Sequence, residues 1–90
     1  MGLSPEQHTV IALLEESRAS IRKVGIPPEM DEGYARHLIE ETVDVINLLI
    51  QIAFVHEPTP SFMLGVGRAM ERLTAFRAMF NQFEKEDRHG

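Results

Sequence analysis

The sequence predicts an all-α protein: a three-helix antiparallel hairpin or bundle, assembling as a helical homodimer or higher oligomer. Two observations predict it. Apolar residues recur at alternating spacings of three and four in three separate stretches, the period of a helix with one buried face. Each stretch opens on a residue that caps helices, and the first two close on glycine or proline. The 90 residues form a single helical domain, with helices over about 5–24, 32–56 and 60–86.

The first helix is strongly punctuated. Ser4 is suited to the N-cap, Pro5 to the first helical position, and Gln7 to the reciprocal place in a capping box. Val10, Leu14, Ser17, Ile21 and Val24 then form one narrow stripe with Leu13 at its edge, while Glu15, Glu16, Arg18, Arg22 and Lys23 lie off it. Gly25 is expected to end the helix, and Pro27-Pro28 to stop it resuming.

The second helix organises the chain. Asp31 caps it, and Pro58 stops it. From Val45 to Val55, nine of eleven residues are hydrophobic. Two overlapping seams are readable. One is Leu38, Thr42, Val45, Leu49 and Ile52; the other is Ala35, Ile39, Thr42, Ile46, Leu49 and Ala53. Together they make an apolar arc of roughly half the circumference, wide enough for two neighbours. His37, Glu40, Glu41, Asp44, Asn47 and Gln51 occupy the opposite side, with Leu48, Phe54 and Val55 intruding among them.

Thr59 or Ser61 caps the third helix. Phe62, Val66, Ala69, Leu73, Phe76, Phe80 and Phe83 then keep a heptad spacing for three repeats. Met63 and Met70 flank this seam on one side, and Gly65 and Met79 on the other. Gly65 and Gly67 each weaken a helix by about 1 kcal/mol relative to Ala, which leads us to expect another backbone close by. The charged tail from Glu84 is expected to fray.

The apolar residues exceed what three thin helices bury. Leu48, Phe54, Val55, Met63, Met70 and Met79 are the expected interface, with a second copy of the chain as the first partner. An apolar helical groove for a different protein is the other use of the methionine row.

Composition narrows the function classes. The net charge of −5 disfavours binding to nucleic acid. The absence of cysteine removes disulfides, thiolate metal sites and cysteine nucleophiles, and fits a cytoplasmic protein. MGLSPEQH lacks the basic and apolar regions of a signal peptide. The Val45–Val55 run is short of the roughly 20 apolar residues that span a bilayer, so no membrane association is expected.

Chemistry is suggested only by carboxylates. Glu40, Glu41 and Asp44 fall within one helical turn, and Glu15 and Glu16 stand on the first helix. Carboxylates at this spacing suit a hard cation if a second helix brings more oxygen ligands to the same point. His37 and Glu41 are also one turn apart, but there is no HExxH and no second histidine at ligand spacing.

Glu40-Glu41-Thr42-Val43-Asp44-Val45, with Leu49 and Ala53 after it, resembles the ExxD helix of the MazG-like all-α nucleoside triphosphate pyrophosphohydrolases. The partner EExxE motif would be Glu15-Glu16-Ser17-Arg18-Ala19, in which Ala19 replaces the third acid. The resemblance implies a Mg²⁺-dependent enzyme with Glu16, Glu41 and Asp44 as metal ligands. The residues themselves favour a different expectation: a small acidic helical interaction protein, such as an adaptor, inhibitor or antitoxin-like factor, without catalytic residues or cofactor.

Overall fold

The computed structural model describes the backbone of residues 2–26 and 28–89, and side chains of the same residues up to Phe80. It has three helices: α1 (Pro5–Arg22), α2 (Glu32–Val55) and α3 (Pro60–His89). Successive helices run antiparallel, and α2 packs against both neighbours, while α1 and α3 touch much less. The domain is elongated, 56 × 20 × 19 Å. Among the described residues no helix is long and apolar enough to cross a membrane.

Local chemistry sets the helix starts. Ser4 accepts from the Gln7 amide at 3.1 Å, and the Gln7 side chain accepts from the Ser4 amide at 2.9 Å, completing the capping box. Asp31 accepts from the amides of Gly33 and Tyr34. Between the two candidates for α3, Thr59 is the cap: its hydroxyl accepts from Phe62 and its carbonyl from Met63.

The helix ends depart from expectation in two places. α1 stops at Arg22 rather than near 24, with Lys23 at the cap, and Val24 donates back to Ile21 in a tight last turn. None of the described glycines has a positive φ, so Gly25 is not a left-handed C-cap. α3 runs to His89, three residues past the expected end near 86. The side chain of Phe83, last of the predicted seam, lies outside the described residues.

The core lies in two clusters along the bundle. At one end Val10, Ile11 and Leu14 of α1 meet Ile46, Leu49, Ile50 and Ala53 of α2 and Val66 and Ala69 of α3. At the other, Ile21, Ala35 and Val43 meet Leu73, Phe76 and Phe80. The Phe76 and Phe80 rings stack with centroids 6.3 Å apart. Val24, Ile26 and Met30 from the α1–α2 connection close that end.

Along the seams, Ser17 and Thr42 stand between the two clusters, both buried. Each is satisfied within its own helix, Ser17 donating to the Leu13 carbonyl at 2.8 Å and Thr42 to that of Leu38 at 3.0 Å. Among the described residues no buried side-chain nitrogen or oxygen lacks a partner.

The predicted α2 arc is rotated. Its second seam is confirmed, but Val45 and Ile52 of the first are exposed, while Val43 and Ile50 are buried. The cause is α1. Arg18 donates to the Asn47 side chain at 2.6 Å, which draws α1 towards the side of α2 that carries Val43, Asn47 and Ile50. On α1 the same docking buries Ile11 and leaves Leu13 exposed.

Gly65 and Gly67 are not sites of close backbone approach within the chain. A Cβ on Gly65 would meet only Leu49 Cδ2 at 3.7 Å, and one on Gly67 would meet nothing.

Candidate functional site

Rotation of the buried arc turns another set of α2 residues outward. Tyr34, Leu38, Glu41, Val45, Leu48, Ile52 and Val55 follow one another at alternating spacings of four and three along the whole helix. This is the repeat of a helix seam that packs on another helix. Leu38 is half-buried against the second core cluster. The remainder of the stripe is open: Tyr34 is 57% exposed, Leu48 57% and Val55 72%, with Val45 and Ile52 at 40% and 37%. Ile46, one helical step from Val45, is fully buried. A helix with two separate heptad seams is built to pack on both sides, and among the described residues one side of α2 has no partner within this chain.

Beside the stripe runs a shallow groove of about 320 Å³ between α2 and α3, lined by Thr42, Val45, Leu49, Gly65, Arg68 and Arg72 among others. The missing side chain at Gly65 keeps its floor low. A second groove, about 480 Å³, lies between α1 and α3 and is lined by Pro5, Val10, Pro58 and Met63. It exists because α1 and α3 each dock on α2 and barely meet.

The six expected interface residues therefore divide. Leu48 and Val55 lie on the outward stripe of α2. Met63 is in the α1–α3 groove. Phe54, half-exposed, shares the side of Asn47, beside α1. Met70 is half-buried, packs on the first core cluster and has its sulfur 3.1 Å from the Ser17 hydroxyl. Met79 packs on the second cluster. Tyr34, Val45 and Ile52 belong to the outward face but were assigned to the core or passed over by periodicity.

The carboxylates take separate places. Glu41 sits within the outward stripe of α2 and lies 3.4 Å from His37 Nε2. Asp44 is exposed beside it, on the edge away from α3. Glu16 is exposed on α1, off the face that packs on α2. Among the described residues no three His, Asp or Glu side chains are grouped to hold a metal ion. Within one chain Glu16, Glu41 and Asp44 do not fit a shared cation.

Charge is organised across the stripe instead. Glu41 and Asp44 stand on and beside it, and Arg68 and Arg72 of α3 border it on the other side. Comparison with known proteins adds no relative: no family model, curated protein or solved structure matches the chain.

Proposed function

We propose that this protein is a small acidic helical interaction module of the adaptor, inhibitor or antitoxin-like kind, acting in the cytoplasm through the outward face of α2. The observation that carries the reading is the second heptad stripe, Tyr34 to Val55. Apart from Leu38, which packs on the second core cluster, its apolar residues lie outside the core of the chain that bears them. An apolar face of that length, about 30 Å of helix, is of the size that often serves binding. A helix laid into an apolar groove is a standard mode of polypeptide recognition. The pyrophosphohydrolase alternative would require Glu16 to meet Glu41 and Asp44 across a subunit boundary, since within one chain these are not grouped.

A hydrophobic fluorescent dye tests the reading. Dilute wild-type protein should enhance the dye's fluorescence, and a Leu48→Glu/Val55→Glu variant with unchanged helical circular dichroism should not. A wild-type chain that neither takes up dye nor associates at any concentration overturns it. So does unfolding of the double variant, which would place the two residues in the core.

A further inference from the structure

We infer that the outward face of α2 is covered by a second copy of this chain, related by a two-fold axis that runs along α2, so that the two α2 helices pack in parallel. This inference rests on the docking-face reading and names its occupant.

The charges on either side of the stripe favour that arrangement. Gly65 lies level with Leu49, close enough that a Cβ there would contact it. Because α2 and α3 run antiparallel, Arg68 is then level with Val45 and Asp44, and Arg72 with Thr42 and Glu41; Thr42, Val45, Arg68 and Arg72 all line the same groove. The face thus carries acid and base at matching heights, with Asp44 on one edge of the stripe and the arginines on the other.

Only one of the two face-to-face symmetric arrangements uses this. A two-fold axis across the helices would make α2 antiparallel to its copy and set like edges side by side, α3 against α3. An axis along the helices keeps every height and exchanges the edges. Arg68 of each chain then meets Asp44 of the other, and Arg72 meets Glu41. Glu41, the one charged residue within the stripe, would face its own copy near the axis, and it is tolerated there because two arginines flank the pair. His37, one turn away and 3.4 Å from Glu41, adds a further donor on the acidic edge.

Shape agrees with charge. The stripe of one chain is offered to the α2–α3 groove of the other at the height of Val45 to Leu49, where Gly65 leaves space for the Leu48 side chain. A stable interface takes about 800 Å² from each partner. The stripe alone, about 30 Å long and one helix face wide, gives roughly 300 Å², so the arrangement requires the exposed flank of α3 beside it to be covered as well. The α1–α3 groove has no such paired charges.

The test combines sedimentation with charge reversal and cross-linking. Wild-type protein should sediment as a dimer well above micromolar concentration. Asp44→Arg and Arg68→Asp, both surface changes whose helicity is checked first, should each weaken dimerisation by at least about tenfold, since the twofold axis duplicates each repulsion. The double variant Asp44→Arg/Arg68→Asp should recover the wild-type dimer. The chain has no cysteine, so Ile52→Cys alone should form a disulfide-linked dimer on mild oxidation. An antiparallel dimer crossing at Leu48 would hold those two cysteines about 12 Å apart along the axis, beyond disulfide reach. It would instead link Ile52→Cys protein to Val45→Cys protein, and that result overturns the parallel arrangement. A strict monomer overturns self-association altogether. If that monomer still binds dye through Leu48 and Val55, the docking face stands and its occupant is another polypeptide.

Discussion

The Gln7 side chain of α1 donates to the main-chain carbonyl of Ala53 in α2 across 2.8 Å, and to that of His56 at 3.3 Å. The last carbonyls of a helix have no partner inside it. Gln7 therefore starts one helix and finishes another. Its oxygen completes the capping box of α1, and its nitrogen satisfies the last turn of α2. Ser4 adds to the same joint by donating to the Glu57 carboxylate at 2.8 Å.

Gln7→Leu keeps the volume and removes both functions. Leaving a buried carbonyl unsatisfied, together with loss of the cap partner, should cost about 2 kcal/mol and lower Tm by roughly 10 °C for a domain of this size. Thermal denaturation followed by circular dichroism checks it. A melt within about three degrees of wild type would show that the joint does not hold α1 to α2.

Thr42 gives the opposite expectation. Its hydroxyl bonds to a carbonyl of its own helix that also accepts the Thr42 amide, so removing the hydroxyl orphans nothing. Thr42→Val should leave stability unchanged or raise it by about 0.5 kcal/mol. A loss above about 1 kcal/mol on denaturant titration would mean that the hydroxyl has a second role.

Gly67 has open space where a Cβ would stand, and Gly65 has only an ordinary contact with Leu49. Gly67→Ala should stabilise the domain by up to about 1 kcal/mol. Gly65→Ala should do the same for the isolated chain while shallowing the α2–α3 groove. Comparing melts of the two at low concentration checks the first statement. A fall in Tm for Gly67→Ala would contradict it.

Much of this architecture was legible in the sequence because its determinants are local. Ser4, Asp31 and Thr59 cap helices through neighbours two to four residues away, and the α3 seam is buried as its heptad spacing requires from Val66 through Phe80, with Phe62 half-buried at its start. What was not legible depends on another helix. On α2 apolar residues cover more than half of the circumference, so periodicity alone cannot decide whether Val43 and Ile50 or Val45 and Ile52 go inside. The position of α1, fixed by Gln7 and Arg18, decides it. The reach of Gln7 to Ala53 spans 46 positions, and no local pattern announces it. Leu48 and Val55 mark the outward face in the sequence, but its full extent depends on Val45 and Ile52 lying outside the core and on Tyr34 continuing the same stripe. The meaning of Arg68 and Arg72 lies in their height beside Glu41 and Asp44, which depends on how α3 docks on α2.

Neighbouring positions on α2 should behave in contrasting ways. Ile46 is fully buried, so Ile46→Ala should cost about 2–5 kcal/mol through lost burial and the cavity left behind. Leu48→Ala, at an open position, should change the stability of the isolated chain by no more than about 0.5 kcal/mol. Chemical denaturation of dilute samples separates them. Equal losses would place Leu48 in the core and remove the outward face.

The central claim is that α2 carries a second packing face used between molecules. Its most direct test is the solution mass, by sedimentation equilibrium over a wide concentration range, of wild-type protein and of Leu48→Glu. The account predicts a concentration-dependent dimer for wild type, and a monomer for Leu48→Glu with unchanged helicity. A wild-type monomer throughout would contradict the dimer, and an unfolded Leu48→Glu chain would contradict the face itself.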